Sequence, residues 1–274
     1  MVQSCCIKLL RALTVLKKRI IGTITVLNGW AVQSISYSKY LPLGRPEVIA
    51  ENLDRWGADE ILIQCIDRSR RKLGPDFKTL SSISDMGITT PIIYSGGIRN
   101  HVDAINSIKL GADRVMFDEL LRSHPDEISK SSRILGSQAL VGCMPVSCIR
   151  RKMSWLNYLT KETIPLTSDD LKKVFSSSIS ELLLVDHKNE GCAQSFNLNI
   201  LKSSLLADSP IPILLFGGIS NPKLAQKALD NTNVAGIGIG NFLSYSENSI
   251  EFFKRTIKNS SLREHKFKDI KKND

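Results

Sequence analysis

Short, continuous apolar runs alternate along this chain with segments of helical periodicity. The runs fall at residues 19–26, 61–66, 91–95, 114–117, 139–143, 182–186, 211–216 and 235–239, eight in all. Strands that are apolar at nearly every position, instead of at every second one, are covered on both faces, as in a parallel sheet wrapped by helices. Between the runs, Pro46 opens a predicted helix over 46–56 in which Ile49, Leu53 and Trp56 share a face, and Gly57 follows as the residue that ends it. Val102, Ile105 and Ile108 mark a second helix over 100–109, and Asn221-Pro222 opens a third with Asn at its cap. Eight strands alternating with helices predict an α/β fold, a single (β/α)8 TIM barrel, and 274 residues suit one such domain. The segment 147–166 reads as the longest irregular stretch.

The pattern repeats itself 121 residues on. Glu60-Ile61-Leu62 recurs as Glu181-Leu182-Leu183, Pro91-Ile92-Ile93 as Pro212-Ile213-Leu214, and Ser95-Gly96-Gly97-Ile98 as Phe216-Gly217-Gly218-Ile219. A repeat of this length suits a half-barrel of several βα units closed by its own copy. The expected organisation is an N-terminal extension over 1–16, read as an added helix or a misassigned start, then the barrel over 17–258 and a basic tail over 259–274.

Charge changes little in this picture. Of the net charge of +10, residues 1–19 carry five Lys or Arg and no acid, while 254–274 carry eight basic residues against three acids. The middle is neutral, so no basic stripe marks the body for nucleic acid or membrane. Cys5, Cys6, Cys65, Cys143, Cys148 and Cys192 show no C-x-x-C pair and no secreted framework, which points to a reducing, cytoplasmic compartment. Cys65 and Cys143 end strands without a visible activator and read as packed thiols. No cofactor is expected, and no His, Cys and Asp spacing suggests a metal site.

Glycine turns follow three of the strands, at Gly96-Gly97, at Gly217-Gly218 and at Gly238-x-Gly240. Backbone N–H groups approach an anion closely where no side chain intervenes, so these turns are candidate phosphate cradles. Together with K-K-R-I-I at 17–21, G-A-D-E at 57–60, S-G-G-I-R at 95–99, G-A-D-R-V at 111–115, G-S-Q-A-L-V at 136–141 and F-G-G-I at 216–219, they give a chain that resembles the HisF family. That family is the cyclase subunit of imidazole glycerol phosphate synthase, a lyase of histidine biosynthesis. The resemblance runs from about residue 17 to about 258. It implies a doubled half-barrel, a HisH-like glutaminase partner that sends ammonia through the bore, and a substrate carrying phosphate. The family's charged ammonia gate falls on Arg19, Glu60, Arg114 and Glu181, its glutaminase contact on Asp113, and its barrel-lining glutamine on Gln138. Phosphate contacts fall on Gly191, Gly217, Gly218, Ile239 and Gly240 in the second half, and on Gly96 and Gly97 in the first.

The reaction end departs from the family. Its two acid–base aspartates fall here on Thr25 and Pro145, and neither residue titrates near neutral pH. In the first half its Asn-Thr phosphate pair is replaced by Asp118-Glu119, whose charge repels phosphate. One phosphate, held in the second half, or a second one held differently, is the expectation. Asp186, His187 and Asp67 are the candidates for new acid–base chemistry, and only one of the adjacent pair 186 and 187 can face the mouth. Two functions stay open. One is an ammonia-using synthase on a phosphorylated or nucleotide-linked substrate, with sugar amidination for surface polysaccharide as an example. The other is a non-catalytic barrel that activates a glutaminase and hands ammonia to a third amidotransferase component.

Overall fold

The computed structural model describes residues 17–245, 248–259 and 261–264. The extension expected over 1–16 lies outside the described residues, as does most of the expected tail. The chain runs β1 (Arg19–Leu27), β2 (Trp30–Ile35), β3 (Lys39–Gly44), α1 (Pro46–Arg55), β4 (Glu60–Cys65), α2 (Phe77–Ser84), β5 (Ile92–Ser95), α3 (His101–Lys109), β6 (Arg114–Phe117), α4 (Glu119–Ser123) and α5 (Pro125–Leu135). It continues with β7 (Leu140–Ile149), β8 (Lys152–Asn157), β9 (Glu162–Pro165), α6 (Ser168–Ser176), β10 (Glu181–Asp186), β11 (Ile213–Phe216), α7 (Pro222–Leu229), β12 (Val234–Ile239) and α8 (Ser249–Thr256). Strands β1, β4, β5, β6, β7, β10, β11 and β12 pair in parallel in that order, and β12 returns to β1 to close the barrel. This is the predicted (β/α)8 architecture. The repeat is structural too, since β4 and β10, β5 and β11, and α3 and α7 begin 121 residues apart.

Helix ends follow the local sequence. Asn100 and Asn221 each accept a backbone N–H three residues on, from Asp103 at 2.9 Å and Leu224 at 2.8 Å. Gly57, with φ of 77°, terminates α1 as expected. Three features differ from the sequence expectation. The segment 147–166 is not irregular but forms an antiparallel sheet of β7, β8 and β9, matched in the first half by β1, β2 and β3. Between β10 and β11 there is no α-helix among the described residues, only a 3-10 turn at Ser204–Leu206. The barrel also reaches past 258, because Ser261 and Arg263 pair with Lys18 and Leu262 is buried in the core.

Two apolar layers hold the barrel together. The outer one lies between strands and helices, and the inner one fills the bore with Ile21, Leu62, Ile93, Met116, Val141, Leu183 and Leu214, each at most 2% exposed. Burying each such side chain contributes roughly 1.5–3 kcal/mol. Inward positions alternate with outward ones, so the same strands carry charge below this layer and polar groups above it.

Candidate functional site

At the N-terminal mouth, the first inward residues of β1, β4, β6 and β10 are Arg19, Glu60, Arg114 and Glu181. They form a closed ring of alternating charge. Arg19 pairs with Glu60 at 2.9 Å and with Glu181, and Arg114 pairs with Glu181 at 2.6 Å and with Glu60 at 3.5 Å. Burial opposes charge on Arg19, but Glu60 and Glu181 outweigh it and hold the guanidinium above its ordinary pKa. Burial also pushes Glu60 up, against the attraction of Arg19 and Arg114. Asp113 stands exposed beside the ring, with one carboxylate oxygen accepting the Ile92 N–H at 2.8 Å. Gln138 does not line the barrel. It is exposed in the turn before β7, and its backbone carbonyl accepts from Arg114 Nε at 3.1 Å.

At the C-terminal mouth the β2–β3 hairpin folds over the barrel. Its tip holds Ser36 and Tyr37 at φ of 51° and 49°, a left-handed pair that side chains adopt only under constraint. Glu190 supplies the constraint. Its carboxylate accepts from Ser34 Oγ at 2.9 Å and Tyr37 N at 3.1 Å, and its backbone carbonyl accepts from Ser36 N at 2.8 Å. Asn241 clasps the Ser34 backbone from the other side, at 3.2 and 2.6 Å. Tyr37 thereby packs on the bore and donates to Gln64 Oε1 at 3.1 Å.

This hairpin meets one of the expected phosphate contacts, Gly191. A Cβ on Gly191 would collide with the Ser34 carbonyl, and one on Gly218 would press on Ser195 and Asn189, so close approach of the chain requires glycine at both. The large cavity of the mouth, about 840 Å³, is lined by Gly96 and Gly97 but by none of Gly191, Gly217, Gly218, Ile239 and Gly240. Gly97 N–H is itself taken by Ser69 Oγ at 3.1 Å. A smaller pocket of about 240 Å³ takes in Gly240 and Thr25. Pro145 lines the large cavity instead, so Thr25 and Pro145 face separate spaces. Pairing of β6 with β7 stops at Gly142, which leaves one side of β7 without a ladder at Pro145 and explains how a residue lacking N–H fits there.

Of the three acid–base candidates, His187 and Asp67 line the large cavity and Asp186 does not. Asp186 is 1% exposed and points outward from β10, where it accepts from Asn189 Nδ2 at 2.7 Å and Asn197 N at 2.9 Å and ties down the loop. His187 Nε2 is buried with no partner, and burial, opposed by Asp186, lowers its pKa. Asp67 meets Arg71 at 3.4 Å. Asp118 and Glu119 also face the cavity, and burial with their mutual proximity holds Asp118 well above the carboxylate range. Cys65 and Cys143 are buried, and burial raises both thiols, which keeps them protonated. Sequence reasoning missed Tyr37 and Tyr158, which enter the cavity from the antiparallel excursions. Alternation at Lys152-Met153-Ser154-Trp155 was the available signal for the second of these. Among the described residues no metal-binding group occurs, and no helix is long and apolar enough to cross a membrane.

The sequence profile of the histidine biosynthesis proteins matches residues 19–249. The chain is similar to an imidazole glycerol phosphate synthase subunit HisF of Exiguobacterium sp., 27% identical over 248 residues, which cover 90% of this chain and 96% of that protein. It is similar also to an imidazole glycerol phosphate synthase subunit HisF of Dehalococcoides mccartyi, 27% identical over 254 residues, with 90% and 97% covered.

Proposed function

The chain belongs to the histidine biosynthesis protein family as a divergent HisF-like member, and on that premise we propose that it is the synthase subunit of a glutamine amidotransferase. A HisH-like glutaminase docks at the N-terminal mouth, and ammonia rises through the bore to a phosphorylated or nucleotide-linked small molecule in the 840 Å³ cavity. The observation that carries this reading is the ring of Arg19, Glu60, Arg114 and Glu181, which sits at the foot of an apolar bore and leaves Asp113 exposed beside it.

Synthesis of imidazole glycerol phosphate itself is disfavoured by Thr25 and Pro145, neither of which titrates near neutral pH. A paralogous reaction, such as amidination of a sugar for surface polysaccharide, accommodates both residues. The chain is therefore expected not to restore growth without histidine to a strain lacking HisF; clear growth would overturn this part of the reading. Thr25 and Pro145 also favour a second reading, a non-catalytic barrel that stimulates its glutaminase and passes ammonia to a third component.

The docking claim is tested with Asp113→Arg. The tagged wild-type chain is expected to retain a glutaminase and raise its rate of glutamine hydrolysis, and the variant to weaken that association about tenfold through charge reversal at the rim. Equal retention and equal stimulation by both proteins would remove the ammonia route.

A further inference from the structure

The 121-residue repeat carries Tyr37 onto Tyr158. Tyr37 stands in the turn between β2 and β3, and Tyr158 in the turn between β8 and β9. Those excursions rise from β1 and β7, which lie four strands apart in either direction around the barrel, so the two tyrosines enter the cavity from opposite sides. Burial raises both phenols, and the charges of Asp118 and Cys143 reach both, which places the two phenols near that pair. Their hydroxyls are taken up by the protein: Tyr37 donates to Gln64 Oε1 at 3.1 Å, and Tyr158 stands beside Ser69. What they offer a ligand is therefore the flat ring.

The loop beyond β4 ties the two excursions together and brings charge to the rim. Arg71 donates to Asn28 Oδ1 at 2.5 Å, Arg70 faces the Tyr40 phenol, and Ser69 meets Tyr158. Arg70, Arg71 and Lys161 all line the cavity. Arg71 is paired with Asp67 at 3.4 Å, whereas Arg70 and Lys161 enter no ion pair among the described residues. Both are exposed, so neither serves the core. Of the carboxyl groups in the same cavity, burial holds Asp118 and Glu119 above their ordinary range, Asp118 the further of the two, which lowers their charge and with it their repulsion of an anion.

Two unpaired cations beside a pair of flat aromatic side chains suit an anion attached to a planar ring. A guanidinium grips phosphate oxygens as a fork and an ammonium adds a point charge, and together they match the two negative charges of a diphosphate linked at both ends. A cavity of about 840 Å³ holds a molecule of that size. We propose that the mouth holds a nucleoside diphosphate group, with Arg70 and Lys161 on its phosphates and Tyr37 and Tyr158 against its base. This site is separate from Gly191, Gly217, Gly218 and Gly240 of the second half, none of which lines the cavity. It rests on the reading of the cavity as the substrate site of a synthase subunit, and it names the class of that substrate.

Isothermal titration of the full chain with ADP, CDP, GDP and UDP, with their nucleosides and with inorganic diphosphate tests the site. At least one nucleoside diphosphate is expected to bind with Kd below about 100 µM, at least about tenfold tighter than inorganic diphosphate or its own nucleoside. Arg70→Gln and Lys161→Gln are expected to keep the melting temperature, to weaken that nucleotide about tenfold each and to flatten its salt dependence. Tyr158→Leu is expected to weaken the nucleotide and leave inorganic diphosphate unchanged, and Lys72→Gln, at an exposed neighbour that does not line the cavity, to change neither. Nucleotide binding by both charge variants within about twofold of wild type, inorganic diphosphate binding as tightly as any nucleotide, or no nucleotide binding below about 1 mM would overturn the proposal. Such a failure with a glutaminase still retained and stimulated removes the site and leaves the synthase reading in place. Retention of no glutaminase removes that reading, and with it the assignment of the nucleotide as substrate.

Discussion

Arg19→Met is expected to cost the folded barrel about 3–5 kcal/mol at neutral pH, because it breaks a buried charge ring and leaves its carboxylates under-compensated. Arg19 bridges Glu60 and Glu181, and the other cation, Arg114, reaches Glu60 only at 3.5 Å. Without Arg19 the Glu60 carboxylate is 5% exposed and nearly alone. Burial already holds its pKa above the ordinary 4.5, and losing the guanidinium raises it further. A carboxyl whose folded pKa exceeds its unfolded one contributes stability that is present below the unfolded value and lost as pH rises through the folded one. The deficit of the variant is therefore expected to shrink as the pH is lowered from neutrality through the raised pKa of Glu60 towards 4.5. Urea unfolding of both proteins at a series of pH values checks magnitude and sign together. A deficit under about 1 kcal/mol, the range of an exposed pair, would show the ring to be solvated.

Glu190→Ala is expected to release the β2–β3 hairpin while the barrel beneath stays folded. The carboxylate is 1% exposed and accepts from Ser34 Oγ and Tyr37 N, and hydrogen bonds to a charged group each contribute about 1.5–3 kcal/mol. The left-handed tip residues Ser36 and Tyr37 add strain of about 1–2 kcal/mol each that favours opening once the bonds are gone. Amide hydrogen exchange in residues 34–38 is expected to accelerate about 10- to 100-fold, with little change in β4, β5 and β6. Inorganic phosphate is then expected to bind more tightly than to wild type, because lifting Ser34 clears the Gly191 turn. Unchanged exchange at the hairpin would mean that Asn241 and the Tyr37 contacts hold it without Glu190.

Much of the architecture was readable from local pattern. The eight strands follow from continuous apolar runs, the caps from Asn100 and Asn221, and the half-barrel repeat from matched tripeptides. Each depends on neighbours in sequence, and the barrel adds only closure. The charge ring was readable for a related reason: Arg19, Glu60, Arg114 and Glu181 begin strands, and a charge that begins a barrel strand can point only into the bore or into the helix layer.

The reaction end was less readable, because there the outcome depends on contacts between segments far apart in the chain. Asp186 and His187 are neighbours, and nothing in the dipeptide says that the first ties down the 189–197 loop while the second enters the cavity; the inward register of β10 decides it. Gly191 is in the right turn for an anion, yet the Ser34 carbonyl of a hairpin some 150 residues earlier in the chain comes up against it, held by Glu190 and Asn241. By itself, then, the sequence determined the closed barrel, its doubling and its charged foot, because periodicity and strand starts are local properties. Which half of the mouth stays open, and that Arg70 and Lys161 share its cavity with Tyr37 and Tyr158, only the tertiary structure decided, because strand register and the folding of a hairpin across the barrel set which side chains meet.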